Sequence, residues 1–181
     1  MFSGKRIFYP VILAITLFLA ACGNNLLPSG EDKRTPAAGG AGNAAGQTSP
    51  GFTLTDTAGG TVSLSALNAA GKPVVLYFTM WCPICDSHMQ HIQSTAMAQY
   101  PNAVYIAVDY LSGSVAGAAA SQSAAGYDGS PFIVVADVGQ TVLNAYHATM
   151  GTTVVIDATG TVRMNEDYKD GAALLAVLGA L

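Results

Sequence analysis

Two cysteines, Cys82 and Cys85, are separated by only two residues. They follow an apolar run at 74–78 and Trp81. Where such a run turns into a helix, the free N–H groups at the helix start favour the thiolate of the first cysteine. Pro83 suits the first helical turn, because its missing N–H loses no bond there. The second thiol lies on the same side of that turn, so the spacing predicts a redox dithiol in which Cys82 attacks and Cys85 resolves.

The same C-x-x-C spacing occurs in half of a zinc site, so the pair alone leaves open metal binding and an inert buried pair. A four-cysteine zinc site needs a second pair of cysteines. The chain of 181 residues holds three cysteines in all, and the third is Cys22, near the N-terminus. The cysteine count therefore favours redox chemistry over metal binding, and no cofactor is expected.

The N-terminus indicates export. Lys5 and Arg6 precede an apolar stretch at 7–19, which is shorter than a bilayer span and has the length of a signal-peptide core. Residues 19–22, Leu-Ala-Ala-Cys, resemble the lipobox of bacterial lipoproteins. This resemblance implies that residues 1–21 are a lipoprotein signal peptide and that Cys22 is a lipid anchor to a membrane of the bacterial cell envelope, facing the periplasm or the exterior. An ordinary secretory signal with Cys22 as a stray thiol is the alternative.

The remaining chain divides by composition. Residues 22–50 are predicted to be a lipid-anchored flexible linker, because Gly, Ala, Asn, Ser, Thr and Pro dominate there. Residues 51–181 have the length of one domain with a real core. After removal of residues 1–21, five basic side chains stand against eleven acidic ones, a net charge of −6. This balance argues against nucleic acid as a partner.

Alternating strand and helix patterns predict an α/β fold. The run 74–79 is almost wholly apolar, as in a strand buried on both faces, and residues 85–96 carry apolar side chains at helical spacing. Hairpins are expected at 52–64 and at 152–164. The order β-β-β-α-β-α-β-α-β-β-α predicts a three-layer sandwich, a mixed central sheet flanked by helices, with an extra N-terminal β-hairpin. The other predicted elements are strands at 103–108 and 132–136 and helices at 114–125, 140–146 and 171–180, the last capped by Asp170.

The span from Phe52 to the C-terminus resembles the TlpA/ResA-like branch of the thioredoxin superfamily, redoxins of the AhpC/TSA type that work as membrane-tethered thiol–disulfide oxidoreductases of the bacterial envelope. The resemblance rests on Phe52-x-Leu54, on the stretch 72–85 that contains the dithiol, and on 154–160, Val-Val-Ile-Asp-x-x-Gly. It implies a monomeric thioredoxin-like domain. It also implies protein disulfide or dithiol clients, among them those of cytochrome c biogenesis, and a membrane thiol reductant as electron donor.

Four positions depart from the family pattern. The cis-proline that faces the dithiol in thioredoxin-like proteins is replaced by Gly151, so we expect a trans bond and altered client docking. Leu76 replaces the buried Asp found six residues before the first cysteine. His88 replaces the Glu of ResA-like proteins, and it can do the same proton work or be a plain surface histidine. Ile84 cannot donate a hydrogen bond to the Cys82 thiolate, which predicts a moderate potential, about −270 to −200 mV.

Four residues are expected to support the dithiol, namely Trp81, Pro83, His88 and Gly151. Trp81 has two interpretations, since it can wall the disulfide or simply pack in the core. His91, one helical turn beyond His88, is expected to be solvated. These expectations concern side chains whose partners are distant in sequence.

Two other functions draw on the same residues. Cys82, Cys85 and His88 supply soft ligands that suit Cu(I), as in thioredoxin-like copper chaperones. Thr79-x-x-Cys82 resembles the peroxidatic site of peroxiredoxins, which have antioxidant activity and use an arginine beside the threonine. The only arginine of the predicted domain is Arg163. Copper handling and peroxide reduction therefore stand as alternatives to disulfide reduction.

Overall fold

The computed structural model describes residues 40–181. The predicted signal peptide, Cys22 and most of the predicted linker lie outside the described residues. Within residues 40–181 no helix is long and apolar enough to span a membrane. The division of the chain at residue 21 stays a prediction.

The described residues form seven strands and five α-helices, and a π-helical turn continues the second helix. The strands are β1 (Thr53–Asp56), β2 (Thr61–Ser63), β3 (Val74–Thr79), β4 (Val104–Asp109), β5 (Ile133–Ala136), β6 (Thr152–Ile156) and β7 (Val162–Asp167). The helices are α1 (Leu64–Ala69), α2 (Pro83–Ile92) with its π-turn (Gln93–Met97), α3 (Val115–Ala124), α4 (Thr141–Tyr146) and α5 (Ala172–Leu178).

The strands make one mixed sheet in the order β2-β1-β5-β4-β3-β6-β7. β3, β4 and β5 pair in parallel, while the other neighbouring strands pair antiparallel. The register sets Thr79 opposite Asp109, so the carboxyl ends of β3 and β4 meet at one edge of the sheet. The mixed sheet and the N-terminal hairpin β1–β2 confirm the predicted architecture.

Helices cover both faces of the sheet. The buried side chains of β3 alternate between the two cores that lie on these faces. Tyr77 belongs to the core shared with α2 and α5, where Met89 and Leu174 are buried. Phe78 belongs to the opposite core, which α4 closes with Tyr146. Burial of each large apolar side chain contributes about 1.5–3 kcal/mol. The result is the three-layer α/β sandwich expected from the sequence, and it holds α2 firmly against β3.

Helix α1 is missing from the predicted order. The sequence assigns 61–64 to a strand, but Leu64 already begins a helix because the Ser63 hydroxyl accepts a hydrogen bond from a backbone N–H of the first turn. The π-turn Gln93–Met97 was likewise not expected. The N-cap of α5 is Gly171 and not the predicted Asp170, although Asp170 Oδ1 accepts a hydrogen bond from the Ala172 N–H at 3.0 Å.

Residues 40–50 are packed against the sheet, whereas the sequence assigns them to the flexible linker. Thr48 forms a bridge with Thr161, and the N–H of Gly46 donates to the carbonyl of Val162 at 2.8 Å. β7 is the last strand of the sheet, so this segment covers an otherwise unpaired edge. The prediction of flexibility does not hold for residues 40–50.

Candidate active site

The connection from β3 to α2 presents the dithiol. Trp81 has φ +60°, a left-handed backbone that costs about 1–2 kcal/mol in a residue with a Cβ. Cys82 is the N-cap of α2, with φ −85° and ψ 163°, and its Sγ accepts a bond from the Cys85 N–H at 3.3 Å. Pro83 is the first residue of the helix. The two cysteines and Pro83 therefore lie where the sequence predicts.

The two thiols face each other but differ in access. Their Sγ atoms lie 2.8 Å apart, and both cysteines are free. Cys85 is 0% exposed, whereas Cys82 is half-buried. Burial alone raises the pKa of Cys85, but hydrogen bonds from the Cys82 side chain and from the Met80 backbone hold that pKa below its usual value. Only Cys82 is therefore accessible from outside the core.

The indole of Trp81 is fixed by a buried carboxylate. Its Nε1 donates to Asp109 Oδ2 at 2.7 Å, and its ring centroid lies 5.9 Å from that of Tyr127. Asp109 is 2% exposed and also accepts bonds from the backbone N–H and the hydroxyl of Ser112. Trp81 packs against the core that contains Cys85. The indole is thus held rigidly beside the dithiol.

Gly151 lies immediately before β6, at the end of β3. Its N–H donates to the Phe78 carbonyl, and its own carbonyl accepts from the Tyr168 N–H, both at 2.9 Å. Its φ is +83°, and a Cβ added there would lie 3.7 Å from His88 Nδ1. None of the peptide bonds described in residues 40–181 is cis. The backbone is therefore trans at Gly151, as expected, and approaches the site closely.

His88 faces β3 and a small aromatic cluster. Its Nδ1 lies 3.0 Å from the Tyr77 hydroxyl, and its ring centroid lies 4.7 Å from that of Tyr168. Burial first, and then the neighbouring His91, lower the pKa of His88. Nδ1 of His91 lies 2.6 Å from the Tyr168 hydroxyl, so the prediction of a solvated His91 is wrong.

Comparison with known sequences assigns the chain to a family. The profile of the AhpC/TSA family matches residues 45–165. The chain belongs to this family. A search of curated protein sequences finds no match.

Solved structures share the fold of this AhpC/TSA-family chain. A secreted Mycobacterium tuberculosis disulfide oxidoreductase homologous to E. coli DsbE has 22% identity and a TM-score of 0.54, over 72% of this chain and 96% of its own. Peroxidoxin BcpB from Mycobacterium tuberculosis has 25% identity and a TM-score of 0.60, over 76% and 97%. The exposed lipoprotein thioredoxin Etrx1 from Streptococcus pneumoniae has 23% identity and a TM-score of 0.58, over 73% and 100%. The fold is thioredoxin-like.

Family, fold and dithiol agree on the class of chemistry. An AhpC/TSA-family domain with a thioredoxin-like fold and two adjacent free thiols at a helix start is a thiol–disulfide oxidoreductase. The copper alternative at Cys82, Cys85 and His88 stays a prediction, and in the structure Nδ1 of His88 lies within hydrogen-bond distance of the Tyr77 hydroxyl. Within residues 40–181 no group of three or more His, Cys, Asp or Glu side chains is arranged to hold a metal ion.

The peroxidatic arrangement is incomplete in this member of the family. Thr79 is buried and its Oγ1 accepts a backbone N–H bond at 3.1 Å. Arg163 lies on β7 and donates to Asp157 Oδ2 at 2.7 Å, beside the turn that joins β6 and β7. That turn is at the opposite end of β6 from Gly151. Arg163 therefore does not approach the dithiol.

Sequence reasoning missed four residues of the site. Tyr77 was treated as part of an apolar strand, although a tyrosine in a buried strand needs a partner for its hydroxyl. Asp109 could also have been predicted as a site residue. It is a polar residue at the carboxyl end of a parallel strand, which is the end of the sheet where ligand sites form. The local sequence around the other two, Tyr127 and Tyr168, does not indicate that they belong to the site. The four are Tyr77, Asp109, Tyr127 and Tyr168.

Proposed function

We propose that this AhpC/TSA-family protein is a membrane-tethered reductase of protein disulfides in the bacterial cell envelope. The observation that carries the proposal is the asymmetry of the dithiol, since Cys82 is half-buried and Cys85 is 0% exposed at an Sγ distance of 2.8 Å. A client disulfide can reach only the first sulfur. The second sulfur is close enough to displace the client afterwards.

Reduction runs in two exchange steps. The Cys82 thiolate attacks one sulfur of the client disulfide, an S–S bond forms between Cys82 and the client, and the other client sulfur leaves as a thiolate. Cys85 then loses its proton and attacks Cys82 Sγ, which forms the Cys82–Cys85 disulfide and releases the second client thiolate. The client gains two electrons and takes two protons from solvent. A membrane thiol reductant returns two electrons to the enzyme.

Four residues support the dithiol in this proposal. Pro83 fixes the first turn of α2 and so the position of the Cys82 thiolate. Trp81, held by Asp109, walls the disulfide against solvent. Gly151 brings its backbone close to α2, where a client segment can dock. His88 receives the proton that leaves the dithiol.

Clients and location follow from the family resemblance and the N-terminal sequence. The proposed clients are envelope proteins with disulfides, including the haem-binding dithiols of apocytochromes c. Residues 1–21 are removed, Cys22 is lipidated, and the chain beyond it tethers the domain to the membrane. A similar fold occurs in a pneumococcal protein described as an exposed lipoprotein. In cell fractionation we expect Cys22→Ala to move the protein from the membrane to the soluble fraction, and unchanged membrane association would contradict the anchor.

A trapping experiment tests the roles of the two cysteines. The Cys85→Ser variant should accumulate a mixed disulfide with a disulfide-bonded client, while the matched Cys82→Ser variant should not. Equal trapping by both variants would refute the assignment of distinct roles. Trapping only by Cys82→Ser would reverse the two roles.

Peroxide consumption is measured in parallel, because a structural relative with 25% identity is a peroxidoxin. We expect reduction of protein disulfides to be faster than reduction of hydrogen peroxide, since Arg163 is paired with Asp157 away from the thiols. A peroxidase rate that exceeds the disulfide reductase rate would make the protein a peroxidase instead.

A further inference from the structure

Tyr77 is a buried tyrosine on β3 whose hydroxyl lies inside the active-site core. It is 0% exposed and belongs to the same buried cluster as Cys85. Its ring meets those of His88 and Tyr168 edge to face, at centroid distances of 6.1 and 6.3 Å. A phenylalanine would pack the same space without a hydroxyl to satisfy. Packing alone therefore does not explain the hydroxyl at this position.

Tyr77 shares a buried cluster with Cys85, and its hydroxyl reaches His88. His88 Nδ1 lies 3.0 Å away, within hydrogen-bond distance. Burial, and then the charge of Cys85, raise the pKa of Tyr77 far above its usual value. The phenol therefore stays protonated at neutral pH. Tyr77 does not act as a deprotonated base, but its oxygen can accept one proton while its O–H group donates another.

His88 is suited to be the acceptor at the end of this path. Its lowered pKa keeps the ring neutral near pH 7, and in the tautomer protonated at Nε2 its Nδ1 is free to accept a hydrogen bond. The residue is half-buried on α2, so it reaches solvent as well as Tyr77. Leu76 stands where many thioredoxins have a buried Asp, and it lies in the opposite core. The described site thus contains no carboxylate at that place.

We propose that the Tyr77 hydroxyl transfers the proton of Cys85 to His88 when Cys85 resolves the mixed disulfide. The inference rests on the proposed function and names the groups that complete its second step. In the mixed disulfide Cys82 has no S–H left to donate, so the burial of Cys85 is no longer offset by that bond. The buried thiol then needs a path for its proton.

The transfer balances as follows. The Cys85 S–H proton goes to the Tyr77 oxygen as the Tyr77 O–H proton goes to His88 Nδ1, and the Cys85 thiolate attacks Cys82 Sγ. The new Cys82–Cys85 bond forms, the bond from Cys82 to the client breaks, and the client sulfur leaves with the electron pair. The imidazolium of His88 releases its Nε2 proton to solvent, and the client thiolate takes a proton from solvent.

Other titratable groups lie around this path and are shared by all variants compared below. They are Cys82, Asp86 and His91 on α2, Asp109 and Tyr110 at the end of β4, Tyr127 after α3, and Tyr168 and Asp170 after β7. Because these groups are retained, their titration cancels when the variants are compared.

The test uses the full chain with Cys22→Ser, in which Cys82 and Cys85 are the only thiols. The reduced chain is mixed with an aromatic disulfide reagent that releases one coloured thiolate when Cys82 attacks and a second when Cys85 resolves. Tyr77→Phe is compared with Tyr105→Phe, which removes a hydroxyl from the same core. The Tyr105 hydroxyl donates only to the backbone carbonyls of Ala96 and Tyr100, at 2.9 and 3.1 Å.

We expect Tyr77→Phe to slow the second release about a hundredfold at pH 7 and to leave the first release unchanged. Its second-release rate should keep rising with pH where the wild-type rate has levelled off. His88→Gln should give the same defect, and the double variant should be no slower than either single variant because the two groups act in series. His88→Gln decides the question if Tyr77→Phe does not fold.

The possible failures are distinct. If the parent chain releases both thiolates but Tyr77→Phe resolves as fast as Tyr105→Phe, the proton path is wrong and the reductase proposal stands. Additive defects in the double variant would also refute the path. If the parent chain never forms the Cys82–Cys85 disulfide, the reductase proposal fails and the path fails with it.

Discussion

At the residue scale, Gly151 shows how this site replaces the proline that its thioredoxin-like relatives carry. Its N–H is bonded to the Phe78 carbonyl, and its φ of +83° lies in the region that favours glycine. A proline has neither the N–H nor that φ. The backbone at Gly151, beside the dithiol, therefore has a conformation and a hydrogen bond that a proline cannot have.

Restoring the proline should destabilise the fold. We expect Gly151→Pro to lower the free energy of unfolding by about 3 kcal/mol or more and Gly151→Ala by about 1–2 kcal/mol, measured by urea denaturation of the reduced protein. Gly139→Ala is the matched control, because Gly139 has φ +82° and open space around it. A Gly151→Pro variant as stable as the parent would contradict the trans, glycine-specific backbone.

Asp109 should prove necessary for the position of Trp81. Asp109→Ala leaves the indole N–H and the N–H of Ser112 without their buried acceptor, at about 1–3 kcal/mol per orphaned group. Trp81 is the only tryptophan, so its fluorescence reports the change directly. We expect a shifted emission spectrum and a destabilised fold.

The control for Asp109 is another buried carboxylate. Asp137 is also 2% exposed, but it accepts bonds from backbone N–H groups of α4. Asp137→Ala should therefore lower stability without moving the tryptophan emission of the folded protein. The same spectral shift in both variants would mean that Asp109 acts only through general stability.

At the element scale, the sequence predicts best what depends on local periodicity. Buried positions at helical spacing identified α2, and the apolar run identified β3, so the thiols could be placed at their junction. α1 has only six residues and begins directly after β2, whose last residue Ser63 is the N-cap of the helix. A helix this short shows no clear periodicity in the sequence. The contacts of Tyr77 and Trp81 join elements that are distant in sequence, so no local pattern reveals them.

The segment before β1 should act as part of the fold. A chain that starts at residue 51 loses the bonds of Gly46 and Ser49 to the edge of the sheet, and each such bond contributes about 0.5–1.5 kcal/mol. We expect it to be about 1–3 kcal/mol less stable than a chain that starts at residue 40. Amide hydrogen exchange at Val162 should be faster in the shorter chain.

Residues 22–39 provide the comparison for this truncation. A chain that starts at residue 22 with Cys22→Ser and the chain that starts at residue 40 should have the same stability if the folded part begins near residue 40. Equal stability of the chains that start at 40 and 51 would instead support the linker boundary at residue 50.

At the scale of the whole molecule, His88 links the site to pH-dependent stability. Burial lowers its pKa in the folded chain below the usual value of about 6.5, so the unfolded chain binds more protons below that pH. Stability should therefore fall as pH drops from about 6.5. We expect His88→Gln to flatten this fall in denaturation curves taken at several pH values.

The exposed histidine His147 supplies the control for that pH series. His147→Gln should keep the parent's pH dependence, since its ring lies outside the active-site cluster. If His88→Gln and His147→Gln follow the same curve, His88 is not the group that couples pH to folding.

The midpoint potential of the Cys82–Cys85 couple is the most direct measurement for the whole account. The chain with Cys22→Ser is equilibrated in dithiothreitol or glutathione buffers, and trapped thiols are counted by mass. A reversible two-electron couple at about −270 to −200 mV is the predicted result for an envelope reductase. A dithiol that does not titrate reversibly, or one near −120 mV as in a strong oxidant, would contradict it.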